Sequence, residues 1–143
     1  VNNALHKAGE HWELRFERNF AHPPSTVWRA ITEPEQLSQW YPFAAVEWNF
    51  TVGGTLLFRD DEGTEVRAEV TEIDPPKAFA FEEFDEETGV HLLRFELTGT
   101  AEGCVLRFTH SFADSTWAAQ TETGWLACLD VLDRVVSGAA AEG

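Results

Sequence analysis

The chain has 143 residues, with 25 acidic against 10 basic side chains and a net charge of −15. Affinity for a nucleic-acid backbone or an anionic membrane surface comes largely from Lys and Arg, so this balance argues against both as partners. At 43% hydrophobic and 13% aromatic residues, the sequence is a folded one, long enough for one domain over residues 1–143 that buries roughly two thirds of its unfolded surface without disulfides or metal.

The first predicted element is a strand from His11 to Phe20. There Trp12, Leu14, Phe16 and Phe20 alternate with polar residues, and Arg18 falls on the apolar side. Pro23 and Pro24 end it, and Ser25 to Ile31 reads as a short helix burying Val27, Trp28 and Ile31. Pro34 opens a second short helix carrying Leu37 and Trp40, closed by Pro42. Strands are then predicted at Ala44–Asn49, Thr55–Arg59, Thr64–Ile73, Ala78–Phe84, Val90–Leu97 and Val105–Phe112, joined by connections too short for parallel crossovers. A long amphipathic helix from about Ser115 to Ser137, with Asp114 as N-cap and Gly138 just past its end, closes the chain. At ~34 Å it can span a sheet that curls around it, which makes the fold class α+β.

The stretch Val27-Trp28-Arg29-Ala30-Ile31-Thr32-Glu33-Pro34-Glu35-Gln36-Leu37-Ser38-Gln39-Trp40-Tyr41-Pro42 closely resembles a signature of the START-like (SRPBCC, birch-pollen-allergen-like) superfamily. Within it, the similarity is to homologues of the heat-shock-chaperone ATPase activator C-terminal domain. Val52-Gly53-Gly54, Glu72-Ile73-Asp74-Pro75-Pro76 and Gly124-Trp125 with Leu129 and Leu132 resemble further fixed points of that family, in order. The resemblance implies a helix-grip fold, an antiparallel sheet holding a long C-terminal helix, often with a ligand cavity between them. It specifies fold better than activity, because the superfamily holds carriers, cyclases and co-chaperone domains. Phe112 stands where the family commonly has a small residue, which would narrow a cavity near the sheet edge. Cys104 stands where a Thr is common.

The leading functional reading is a carrier of a small apolar or aromatic ligand. The pocket walls would be Phe81, Phe95, Phe108, Trp117 and Trp125, the polar handles His110, Thr121 and Arg18, and the mouth would be guarded by Trp40 and Tyr41. Among inward polar residues, Arg18 could pair with Glu83 or Glu72, as a structural tie or as a handle for a ligand carboxylate. His110 could be a hydrogen-bonded core group, a ligand handle or an acid–base catalyst. His91 lies one strand earlier, and two histidines without a third ligand make a weak zinc case, so neither metal nor cofactor is expected. Alternative readings are a cyclase- or hydrolase-like enzyme using His110, and an interaction module whose acidic surface docks a basic partner.

The acidic turns Asp60-Asp61-Glu62 and Asp85-Glu86-Glu87 lack EF-hand spacing and read as solvated hairpin tips. Cys104 and Cys128 would come level if strand and helix pack antiparallel, but reduced thiols are the expectation in a reducing compartment. A cytoplasmic location is expected, because no apolar run reaches the ~20 residues of a membrane span and the opening residues Val1 to Lys7 lack the apolar core of a signal peptide. The chain is expected to be a monomer or a homodimer.

Overall fold

In the computed structural model, which describes residues 5–85, 89–113 and 115–142, the alternating stretch His11–Phe20 is a strand, β2, preceded by a short partner, β1 (Leu5–Ala8). Next come two helices, α1 (Pro24–Thr32) and α2 (Pro34–Leu37). Six strands follow: β3 (Ala44–Trp48), β4 (Thr55–Arg59), β5 (Glu65–Asp74), β6 (Ala78–Asp85), β7 (Gly89–Gly99) and β8 (Cys104–Phe112). A 3-10 turn, Ser115–Trp117, leads into the long helix α3 (Ala118–Glu142). The eight strands form one curved, open antiparallel sheet in the order β1-β2-β8-β7-β6-β5-β4-β3, with α3 on its concave face. This is the expected α+β helix-grip architecture.

Strand boundaries fall within a residue or two of the expected ones, because alternation and turn residues set them locally. Strand β1 was not expected, since four residues carry too little pattern. The last helix also differs. Ser115–Trp117 is a 3-10 turn, and α3 runs through Gly138 to Glu142 because the residues beyond, Ala139 to Ala141, are strong helix formers. The expected N-cap, Asp114, lies outside the described residues, as do Glu86 and Glu87 of the second acidic turn.

The core is aromatic and continuous. Phe79, Phe81 and Phe95 are 0% exposed, and Phe95 stacks on Phe108 with centroids 4.5 Å apart. Trp125 of α3 meets Phe108 edge-on at 4.7 Å, so the middle of the sheet is filled by side chains. Each such ring contributes about 1.5–3 kcal/mol by leaving water. Trp40, expected on the second short helix, lies in the turn after α2; it is buried, donating from Nε1 to the carbonyl of Ala30 at 2.9 Å and meeting Phe95 edge-on, which ties that turn to α1 and to the core. The Gly53-Gly54 pair has a steric reason at its second member. A Cβ on Gly54 would lie 2.2 Å from the Asn49 carbonyl oxygen, while Gly54 itself accepts from the Val70 amide at 3.0 Å.

Two expectations about inward charges are corrected here. Arg18 bonds Asp130 of α3 at 2.8 Å, not Glu83 or Glu72. Strands β8 and β7 separate β2 from β6, putting Glu83 about three strand spacings, ~14 Å, away. Glu72 faces outward and pairs with Arg94 at 2.9 Å. The register shifts between Val70 and Glu72, and one extra residue moves every later side chain of β5 to the opposite face.

Candidate functional site

One level beyond the filled core, the facing side chains change character. Glu83 of β6 lies opposite His91 of β7, and Leu93 of β7 opposite His110 of β8, so three polar side chains enter the concave face at the end of the sheet nearest the start of α3. The helix offers little bulk there. A Cβ added to Gly124 would meet nothing within 4 Å, so this glycine leaves space, whereas Trp125 beside it fills the core. The result is a cleft of about 350 Å³. Tyr41, Phe43, Val66, Phe112, Trp117 and Trp125 give most of its apolar wall, while Glu83, Asp85, His91, His110, Thr121 and Cys128 bring polar atoms. Trp117, 54% exposed on the 3-10 turn, stands at the rim.

The polar atoms are organised in two bonded groups. In the first, the Tyr41 hydroxyl donates to Glu83 Oε2 at 2.5 Å. Burial pushes the Glu83 carboxyl up to about 7, against the lowering effect of that hydrogen bond, with Asp85 adding a smaller push upward. Tyr41 is raised well above its ordinary value by burial and by Glu83, so it remains a phenol and a donor. In the second group, Trp125 Nε1–H donates to His110 Nδ1 at 2.9 Å, and His110 Nε2 lies 2.9 Å from His91 Nδ1.

Indole can only donate, so His110 Nδ1 must accept and its proton sits on Nε2. His91 Nδ1 must then accept in turn, which leaves the His91 proton on Nε2. The chain of three rings thus fixes both tautomers and holds both imidazoles neutral. Burial, and then the proximity of His91, lowers His110 to about 3. Burial also lowers His91, partly offset by Asp85.

Of the residues expected from sequence to form a site, His110, Trp117, Thr121 and Trp125 come together around this cleft, and Tyr41, expected at its mouth, is on its wall. Phe81, Phe95 and Phe108 lie behind it as packed core, because their rings meet one another and leave no room for a ligand. Trp40 ties the turn after α2 to α1 and is not on the cleft wall. Arg18 is held on Asp130 and the Leu126 carbonyl, and does not line the cleft. Sequence reasoning undervalued Glu83 and His91, although the alternation Phe79, Phe81, Glu83 carries the inward signal for the first. Phe112 is on the cleft wall. Cys128 lines the cleft and Cys104 sits at the other end of β8, level with Phe20 and Gly99; both are free thiols, pushed up by burial. Among the described residues, no group of three or more His, Cys, Asp or Glu side chains is placed to hold a metal ion.

The family model described as Activator of Hsp90 ATPase homolog 1-like protein matches residues 21–137. The chain belongs to this family. Solved structures similar to this Activator of Hsp90 ATPase homolog 1-like chain include protein MLL2253 from Mesorhizobium loti, 24% identical, with a TM-score of 0.80 over 87% of this chain and 96% of that one. CalU16 from Micromonospora echinospora is 17% identical, with a TM-score of 0.74 over 94% and 83% of the two chains. DynU16, from the dynemicin biosynthetic locus, is 24% identical with a TM-score of 0.77, over 87% of this chain and 47% of its own. At these identities the likeness is one of fold. No curated protein matched the chain. Among the described residues, no helix is long and apolar enough to cross a membrane.

Proposed function

We propose that the cleft between the sheet and the start of α3 binds a small, largely apolar molecule, with the Tyr41–Glu83 pair as its principal polar handle. The observation that carries this reading is the change of content along one sheet: packed phenylalanine in the middle, then about 350 Å³ of space walled by aromatic rings and edged with ordered polar groups. Sites for small molecules have this make-up. Membership of a family similar in fold to ligand carriers agrees with it. Trp125 and Trp117 line the space, so an occupant would alter tryptophan emission. Titration of the full chain with small aromatic and alkyl probes should change fluorescence and raise the melting temperature. If no apolar probe of suitable size does either, the reading is wrong.

A second reading is proton-transfer catalysis on the same occupant. It is favoured by Glu83, whose carboxyl, pushed up to about 7, is suited to give and take a proton near neutral pH. His110 is the weaker candidate, since Trp125 and His91 engage both of its ring nitrogens. Turnover that survives Glu83→Gln would exclude this reading.

A further inference from the structure

Resting on the binding reading above, we infer that the ligand of this cleft is an organic cation, an amine or ammonium on an aromatic or alkyl body, taken up by Glu83 within the ring of aromatic side chains. The charges on the cleft wall point to it. Among the described residues, Glu83 and Asp85 are the acidic groups on the wall, and no Lys or Arg lines it. The two groups that could have supplied positive charge, His91 and His110, are held neutral by the donor order that starts at Trp125 Nε1–H. An anionic ligand such as a fatty carboxylate would therefore enter beside carboxylates with no cation to meet it.

Glu83 itself has capacity left. Tyr41 occupies Oε2, and among the described residues Oε1 has no hydrogen-bond partner. Tyr41 and Trp125 approach one another at 5.5 Å between centroids, and Phe112 and Trp117 are on the same wall. The negative faces of such rings attract an ammonium group, most strongly where water is excluded. The chain's charge of −15 adds a long-range bias toward cations.

Binding should carry a proton signature. The titratable groups facing Glu83 are Tyr41 from the segment after α2, Asp85 on its own strand, His91 on β7, His110 on β8 and Cys128 on α3, while β5 presents only Val66 and Ala68. Burial pushes the Glu83 carboxyl up to about 7, so an ammonium arriving beside it would expel its proton. Amine affinity should then rise with pH, by about tenfold between pH 6 and pH 8, where a simple amine remains charged.

The experiment compares phenethylamine, phenethyl alcohol and hydrocinnamate on the full chain by tryptophan fluorescence and calorimetry. The amine should bind at least tenfold more tightly than the alcohol at pH 8, with hydrocinnamate weakest, and should release protons in buffers of different ionisation enthalpy. Glu83→Gln, checked for folding by its melting curve, should bring the amine down to the level of the alcohol. Should that variant not fold, the pH dependence and proton release of the wild-type chain still decide. Equal or tighter binding of alcohol or carboxylate, or pH-independent amine binding, overturns the cation assignment alone. Failure of all three probes overturns the assignment together with the binding reading.

Discussion

Two neighbouring levels of the same sheet behave differently. In the row Phe79–Phe95–Phe108 the rings stack on one another and meet Trp125, and the space is closed, whereas further along the strands, at His110 and the Glu83–His91 pair, the opposing helix offers Gly124 and Thr121 and the space is open. The strands are continuous through both levels. What separates core from cleft is therefore the size of the side chains opposite, and polar groups survive at the second level because each finds a partner: Tyr41 for Glu83, and Trp125 and His91 for His110.

The filled level is the one whose damage should cost most. Phe95→Ala removes a fully buried ring that stacks on Phe108 and touches Trp40, and should lower stability by about 3–5 kcal/mol in urea denaturation. A loss below about 1 kcal/mol would mean that this level is not packed as described.

At the open level the largest effect should depend on pH. The folded chain keeps a proton on Glu83 up to about 7, whereas the unfolded chain releases it near 4.5. The stability this group contributes is full below about 4.5 and is lost as pH rises through about 7. The two histidines act in the opposite direction: lowered on folding, they contribute stability present above about 6.5 and lost as pH falls. Glu83→Gln should consequently gain about 2–3 kcal/mol on the wild-type chain between pH 5 and pH 8, read from denaturation at each pH. A constant difference across that range would place Glu83 in water.

Trp125→Phe keeps an aromatic ring, though a smaller one, and deletes the donor that begins the imidazole chain. It should cost about 1–2 kcal/mol, and nitrogen NMR of His110 should show the single tautomer replaced by a mixture, with its titration moving upward. An unchanged imidazole spectrum would contradict the donor order. The smallest effect sharpens the comparison from the helix side. Gly124→Ala should be neutral or stabilise the chain by up to ~1 kcal/mol, since alanine is the better helix former and its methyl has open space, yet it should weaken binding of any probe that reaches the helix. A destabilised variant would mean that α3 needs the glycine for packing.

Much of the scaffold could be read locally. The alternation from His11 to Phe20, the prolines that bracket α1 and α2, and the glycine- and acid-rich turns between strands all act over a few residues, so strand positions followed from them. Faces were legible where alternation runs uninterrupted, as at Phe79, Phe81 and Glu83. They were not legible past the register shift at Val70/Glu72, which turned Glu72 outward toward Arg94. The site was half legible. His110, Trp117, Thr121 and Trp125 could be chosen by periodicity, but the same reasoning also chose Phe81, Phe95 and Phe108, because an inward aromatic residue looks alike in sequence whether it fills space or borders it.

An α+β chain with one aromatic face, one long helix and an acidic exterior follows from residue order alone, since periodicity, turn chemistry and charge are properties of short segments. Folding had to bring Arg18 to Asp130 and Tyr41 to Glu83, and to set an indole donor on α3 against two imidazoles on β8 and β7. The physical reason is distance along the chain. Each of these contacts joins residues far apart in sequence, and the direction in which a donor points exists only once the sheet has curled around the helix.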